Sequence, residues 1–238
     1  MKKIIFIIIN LLVFVACQHN DTILDGECIL ELQISYANKT TSATRAVDSD
    51  LSVKILDAEG NVYRQYPPGT IPSKIVLEPG SFEVCVYTDN QETWQQANDG
   101  RGAPCYYVSK HINMEYDEIK RISISVPMVN YAVSLKLPEY FHDLFNSHTF
   151  ALTSGGRQVS IQEGEKVYFA PSDGGFSYSL QATNTDGVTH SHSAYKYSDV
   201  QSGKLYVVTY VYGLDSNTGG VDIEIKDDMQ MEDTDVEI

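Results

Sequence analysis

Ile122-Ser123-Ile124-Ser125-Val126-Pro127-Met128-Val129-Asn130-Tyr131-Ala132-Val133-Ser134-Leu135-Lys136-Leu137 is the stretch that decides how this sequence folds. Ile122, Ile124 and Val126 alternate with Arg121, Ser123 and Ser125 before the proline. Tyr131, Val133, Leu135 and Leu137 alternate with Ala132, Ser134 and Lys136 after it. Successive side chains of a strand point to opposite faces, so each run offers one face to a core and the other to water. Proline has no N–H to give to a ladder and ends the first strand. A second strand starts at once, with no helix between them. That places a boundary between two β units here, one sandwich at 27–127 and another at 128–238.

The same alternation recurs outward in both directions. Leu51, Val53 and Ile55 alternate with Ser52 and Lys54; Phe82, Val84 and Val86 with Glu83 and Cys85; Val221, Ile223 and Ile225 with Asp222, Glu224 and Lys226. Turn residues separate the runs: Asp57-Ala58-Glu59-Gly60-Asn61, Pro67-Pro68-Gly69, Glu78-Pro79-Gly80, Asp173-Gly174-Gly175, Thr185-Asp186-Gly187 and Asn217-Thr218-Gly219-Gly220. Many short strands at this spacing predict an all-β chain, read here as two tandem antiparallel Ig-like or prealbumin-like sandwiches. One short helical insertion is expected after Pro138, where Phe141, Leu144 and Phe145 fall at i, i+3 and i+4. Residues Gln91 to Ala97 suit another turn, and the Thr-, Ser- and Ala-rich segment Ala37 to Asp50 reads as a long loop.

The N-terminus supplies an address. Lys2 and Lys3 precede a short apolar run that closes on Ala16-Cys17. The run is too short to cross a bilayer, which takes roughly 20 apolar residues. It reads as a leader at 1–16 of the lipoprotein type, with Cys17 the lipidated residue and 17–26 a tether. More than one acyl chain on Cys17 makes a stable anchor, so the membrane is a partner through lipid alone. Position +2, with Cys17 counted as +1, is Gln18 rather than Asp, and Asp21, Asp25 and Glu27 follow, which suits an outer-membrane protein facing the exterior. The formal charge is −15, and loss of Lys2 and Lys3 with the leader takes it to −17. Nucleic acid as a partner is excluded by the want of a basic face.

Cys17 taken by lipid leaves Cys28, Cys85 and Cys105, an odd number that excludes a fully paired framework. Cys85 with Cys105 is a candidate pair; the alternative is that all three are small buried residues. No C-x-x-C spacing supports a thiolate metal site.

The order of these pieces resembles the domain-of-unknown-function 4493 family of Bacteroides-type lipoproteins. The resemblance rests on Leu30-Glu31-Leu32-Gln33-Ile34, a loop ending Thr44-Arg45-Ala46, and Leu51-Ser52-Val53-Lys54-Ile55 with Asp57-Ala58-Glu59-Gly60 after it. Pro72 to Val84 follows the family's P-x-x-I-x-L-x-x-G-x-Y-x-V pattern, with Phe82 in the aromatic place. Ala103-Pro104-Cys105-Tyr106-Tyr107 is similar to its Pro-Tyr-Tyr-Tyr segment, with Cys105 a departure. Asn130 to Leu135 and Tyr140 to Phe145 match the start of a second domain and a short helical insertion. These motifs are turns, strand starts and core aromatics, and the resemblance lends no catalytic residue. It implies that the acidic segment Asp227 to Ile238 ends in a strand that includes Val236 and Ile238 rather than in a free tail.

Few residues offer chemistry. His190 and His192 flank Ser191 and share a strand face, so both could ligate one metal; no third ligand is evident, and an exposed strand edge explains them better. Asp215-Ser216-Asn217-Thr218-Gly219-Gly220 fails the calcium-loop pattern at Gly219 and Lys226. Trp94 stands in the polar stretch Gln91 to Gln96, where its ring could stack on a sugar, with Tyr106 and Tyr107 extending the platform. The alternative, which is favoured, has Trp94 folding back to cap the sandwich. Tyr206, Tyr210 and Tyr212 share a face with Val208, expected to be buried between the domains or against a partner. With no nucleophile elbow and no glycine-rich loop opening a helix, no catalytic residue, cofactor or metal is assigned. Two roles stay open: a binding module for a glycan or host molecule, and a structural or assembly component of a fimbria-like complex.

Overall fold

The computed structural model describes residues 26–37, 50–192, 195–210 and 230–233. The leader, Cys17, the tether to residue 25, the loop at 38–49, the Asp215–Gly220 turn, the Val221–Ile225 run, Tyr212, Val236 and Ile238 lie outside the described residues.

The first unit contains β1 (Cys28–Tyr36), β2 (Ser52–Leu56), β3 (Val62–Tyr66), β4 (Ile75–Leu77), β5 (Gly80–Tyr87), β6 (Tyr107–Met114) and β7 (Ile119–Val126). The second contains β8 (Tyr131–Lys136), helix α1 (Phe141–Leu144), β9 (Phe145–Ser154), β10 (Arg157–Ile161) and β11 (Lys166–Phe169). It continues through a short 3₁₀ turn at Pro171–Asp173 to β12 (Phe176–Asn184), β13 (Thr189–Ser191), β14 (Tyr195–Tyr197), β15 (Lys204–Thr209) and β16 (Gln230–Asp233). The alternating runs at 51–55, 82–86, 121–126 and 131–137 fall on β2, β5, β7 and β8, and of the i, i+3, i+4 set Phe141 and Leu144 lie in α1 while Phe145 opens β9.

In the first unit a sheet ordered β4-β1-β7 faces one ordered β3-β2-β5-β6. Leu30, Val53, Ile55, Val84, Val86 and Val126 meet between them, all fully buried. In the second, β11-β8-β15-β16 faces β10-β9-β12-β13, with β14 also on β12. Tyr131, Val133, Phe150, Leu152, Phe169, Tyr206 and Val208 fill that core. Each such burial stabilises the fold by about 1.5–3 kcal/mol before chain entropy is counted.

The two units share one topology. Adding seven to strand numbers β1 to β5 of the first unit, and eight to β7, reproduces the second: β4-β1-β7 becomes β11-β8-β15, and β3-β2-β5 becomes β10-β9-β12. β13 and β14 together stand where β6 does, both paired with β12. Only β16 lacks a counterpart among the described residues. This strand, from the acidic C-terminal segment, lies antiparallel to β15, with Leu205 opposite Glu232.

The sheets are not wholly antiparallel, which corrects the sequence expectation. β1 runs parallel to β7 from Ile29↔Ile119 to Tyr36↔Val126. β8 runs parallel to β15 from Leu205↔Ala132 to Thr209↔Lys136. Alternation reports which face a residue occupies and carries no information on strand direction. The first strand of each unit closes on a late one, β7 or β15, and a parallel pair needs the long crossover that the intervening strands provide.

A smaller cluster joins the units: Trp94, Cys105, Met128, Ala132, Tyr168 and Leu205. Asn130 is the polar pin beside it, 1% exposed. Its Oδ1 accepts the Cys105 N–H at 3.1 Å and its Nδ2 donates to the Ala103 carbonyl at 2.8 Å. Gly102 lets the two segments touch: at φ +85 an added Cβ would sit 3.2 Å from Tyr168 Cβ and 3.3 Å from the Trp94 carbonyl oxygen. Tyr206, Val208 and Tyr210 belong to the second unit's own core rather than to a surface between domains. Cys28, Cys85 and Cys105 are free thiols, all buried. The Cys85–Cys105 pair does not form, because Cys85 points away from the first core and Cys105 lies in the junction.

Asn130→Ala leaves the Cys105 amide and Ala103 carbonyl buried without partners. We expect a loss of about 1–3 kcal/mol, read as a lower midpoint in urea unfolding.

Candidate binding surface

The outward face of β3-β2-β5-β6 gathers polar and aromatic side chains in cross-strand rows. Val53, Ile55, Phe82, Val84 and Val86 point inward, so Lys54, Glu83, Cys85 and Tyr87 point outward. The ladders set the rows. Tyr107 stands opposite Tyr87, Ser109 opposite Cys85, and His111 opposite Glu83. Lys54 stands opposite Cys85 on one side and Gln65 on the other.

Both tyrosine rings lie along the sheet. The Tyr107 hydroxyl donates to Cys85 Sγ at 3.9 Å, on the neighbouring strand. The Tyr87 hydroxyl accepts from Gln65 Nε2 at 3.3 Å, two strands away. Tyr107 is 38% exposed, while Cys85 beneath it is covered. Lys54 Nζ stands 5.2 Å from the centre of the Tyr87 ring, within cation–π range. Ser109 donates to Glu83 Oε1, and Ser52 donates to Asp89 Oδ1. Burial raises the Tyr107 hydroxyl above its ordinary value, and the Cys85 contact and the Glu83 charge push the same way. Burial and the Asp89 charge raise Tyr87. Both phenols therefore stay neutral and able to donate. The surface sets two tyrosine rings among amide, hydroxyl, ammonium and carboxylate groups.

The expected trio of Trp94, Tyr106 and Tyr107 is not one platform. Tyr106 and Tyr107 are consecutive on an extended chain and so face opposite ways. Tyr106 turns in against Tyr36, ring centres 4.5 Å apart, and burial raises its hydroxyl well above the ordinary range. Trp94 is in the junction, 9% exposed, as the capping alternative had it. The Arg157 guanidinium lies 5.8 Å from the Trp94 ring and 4.7 Å from the Phe169 ring. Its Nη1 donates to the carbonyls of Gln95 at 2.9 Å and Gly100 at 3.0 Å, and its Nη2 to that of Tyr168. Trp94 thus holds the loop from Asn90 to Pro104 onto the second unit. Only Tyr107 of the trio remains available to a ligand. Tyr87, its partner, escaped the sequence reading because residues in different strands become neighbours only through register.

His190 and His192 do share a face, as their spacing predicts. His190 lies opposite Ala182. The His192 ring stacks on Tyr178 at 6.4 Å and meets Tyr210 edge-on at 6.0 Å, so it packs the margin of the core. Elsewhere in the second unit, burial and then the charge of His142 hold the His148 imidazole below its ordinary value, with Glu163 opposing.

Trp94→Ala empties the junction and should cost about 3–5 kcal/mol of stability in urea unfolding. Tyr107→Ala, on a solvent-facing row, should cost less than about 1 kcal/mol in the same measurement.

A family model described as a domain of unknown function, DUF4493, matches residues 26–238. No curated protein matches the chain. Among solved structures, a candidate cell adhesion protein from Bacteroides eggerthii is 9% identical, with 84% of this chain aligned to 90% of that one at a TM-score of 0.49. Another, from Bacteroides uniformis, is 12% identical over 88% of this chain and 99% of that one, TM-score 0.46. A structure described as candidate polysaccharide-binding proteins from Bacteroides thetaiotaomicron is 11% identical over 78% and 91%, TM-score 0.43. Similarities this distant carry no residue roles across.

Proposed function

This chain belongs to the DUF4493 family, and we propose that it is a non-catalytic binding protein of the cell surface, anchored to the outer membrane by lipid on Cys17. Its recognition surface is the outward face of β3-β2-β5-β6, and its ligand is carbohydrate. The observation that carries the reading is the pair Tyr87 and Tyr107, opposite one another in the ladder and laid along the sheet. Adjacent strands stand about 4.8 Å apart, so two flat apolar faces follow one another at the scale of neighbouring sugar rings. Gln65, Lys54, Ser109 and Glu83 supply the donors and acceptors that sugar hydroxyls need. An apolar body with a polar tip suits an amphipathic ring of this kind.

The charges on the face narrow the ligand. Lys54 is the one cation in the rows, against Glu83 and Asp89, on a chain of strong negative charge. A neutral glycan meets less repulsion there than a sulfated or uronic one. On an array of neutral and acidic glycans, the purified protein should retain neutral glycans, and Tyr107→Ala should lose that signal while keeping its unfolding midpoint. A wild-type signal no higher than that of an unrelated lipoprotein would sink the reading.

A second reading, a structural or assembly component of a fimbria-like complex, is favoured by β16. Among the described residues it is the one strand outside the repeated seven-strand plan, and it takes a sheet edge through β15. Truncation after Asp228 should then abolish association with other copies or subunits in detergent extracts. Unchanged association counts against it.

A further inference from the structure

We infer that the end of the second unit away from the junction is a docking surface for a basic, apolar polypeptide segment of another protein. Three connections meet there: the stretch from Leu137 through α1, the turn between β10 and β11, and the turn between β12 and β13. Two hydrogen bonds tie them together. Glu163 Oε1 accepts the Leu137 N–H at 2.7 Å, and the Leu144 carbonyl accepts the Thr185 N–H at 3.1 Å. The turn after β12 is also closed on itself. The Asn184 N–H donates to the Val188 carbonyl at 2.9 Å, and Asn184 Oδ1 accepts the Val188 N–H at 2.8 Å.

This end exposes three large apolar side chains: Tyr140 at 43%, Leu144 at 37% and Val188 at 53%. Single exposed apolar residues are ordinary on a protein surface, whereas a gathered set marks a contact site. Tyr140 and Leu144 stand four residues apart across the turn of α1, so they share a face. The core side of the same turn is already filled. Phe141 and Phe145 are each 5% exposed and stack with ring centres 4.7 Å apart, which leaves Tyr140 and Leu144 outside. The bond from Thr185 to Leu144 brings the turn that carries Val188 against them.

Charge selects the partner. The exposed carboxylates of this end are Glu139, Asp143, Glu163 and Asp186, against Lys136 and Lys166. Residues 211–229 follow Tyr210, whose N–H donates to the Lys136 carbonyl at 3.1 Å, and their sequence adds five carboxylates and one lysine. The end is therefore apolar at its centre and acidic around it. A second copy would bring the same sign of charge to the contact, and an anionic lipid surface would do likewise. A segment with Lys or Arg set among apolar residues answers both features. Burial of Tyr140, Leu144 and Val188 supplies the attraction, and the carboxylates steer the approach. The surface is separate from the face that carries Tyr87 and Tyr107, which belongs to the first unit.

The test uses the chain from Gln18 to Ile238, which holds every described element and needs no detergent. The probe is a short labelled peptide of Leu and Lys, read by fluorescence anisotropy; control peptides carry Glu in place of Lys, or Ser in place of Leu. The Leu/Lys peptide should bind saturably, and each control should bind at least about tenfold more weakly. Leu144→Ser with Val188→Ser, at exposed positions and checked for folding by circular dichroism, should weaken binding by at least about tenfold. Asp143→Asn with Asp186→Asn should weaken it and flatten its salt dependence. Tyr107→Ala should leave it unchanged. Absence of saturable binding overturns the assignment, as does equal binding of the Lys and Glu peptides, or binding that survives Leu144→Ser with Val188→Ser. Dimerisation in sedimentation, or retention by phosphatidylcholine vesicles, that this variant abolishes would give the patch to a second copy or to lipid and overturn it too. So would tighter peptide binding by Val221→Ser with Ile223→Ser, which would give the patch to residues 211–229.

Discussion

Parallel ladders between the first strand of each unit and the strand that closes its seven-strand plan, β7 or β15, are the constraint on which the rest of the structure depends. β1 cannot bury Leu30 until β7 is in place beside it, and β8 cannot bury Val133 until β15 is. Every other described strand of a unit except β16 lies between these two in sequence. Closure therefore sets the whole intervening chain into two sheets facing one another. It also makes the contacts strongly non-local, the property that slows folding of all-β chains. One solution to this problem is used twice, with β16 as the only addition among the described residues.

The junction is the second device, and it works by a different chemistry. The cores rely on aliphatic and aromatic burial. The junction relies on directed hydrogen bonds from two side chains, Asn130 and Arg157, to main-chain carbonyls and an amide of the loop before β6. Trp94 fills the space those bonds define. The loop belongs to the first unit by sequence and to the second by contact. The binding face proposed on the first unit is therefore coupled through β6 to a fixed neighbour. The Cys105 amide is held by Asn130, and two residues on, Tyr107 begins the strand that carries one of its rings.

Much of this was legible in the sequence, for a definite reason. Period-two alternation names the face of each residue, so the strands at 51–55, 82–86, 121–126 and 131–137 could be read directly. Pro127 marks where the strand pairing and the cores divide. Direction was not legible, because Ile122 and Ile124 alternate identically in parallel and antiparallel ladders. The partnership of Tyr87 with Tyr107 was hidden in the same way, since only register joins them. Tyr106 and Tyr107 could have been told apart at once: adjacent residues on a strand cannot share a face. Trp94 gave a mixed signal, a large apolar ring in a polar stretch. Contact with a distant arginine settled where it went.

The parallel course of β1 and β7 also decides how the protein bears load. The chain reaches β1 at the end marked by the β6–β7 turn, where Gly26 donates to Asp117 Oδ1 and Ile29 to the Glu118 carbonyl. A pull arriving through residue 26 runs along the axis of β1. Because β1 is clamped to β7 over its full length, from Ile29 to Tyr36, that pull shears all the rungs together instead of opening them one at a time. A molecule held at one end against flow gains mechanical endurance from this arrangement, at a strength that thermal unfolding would not reveal.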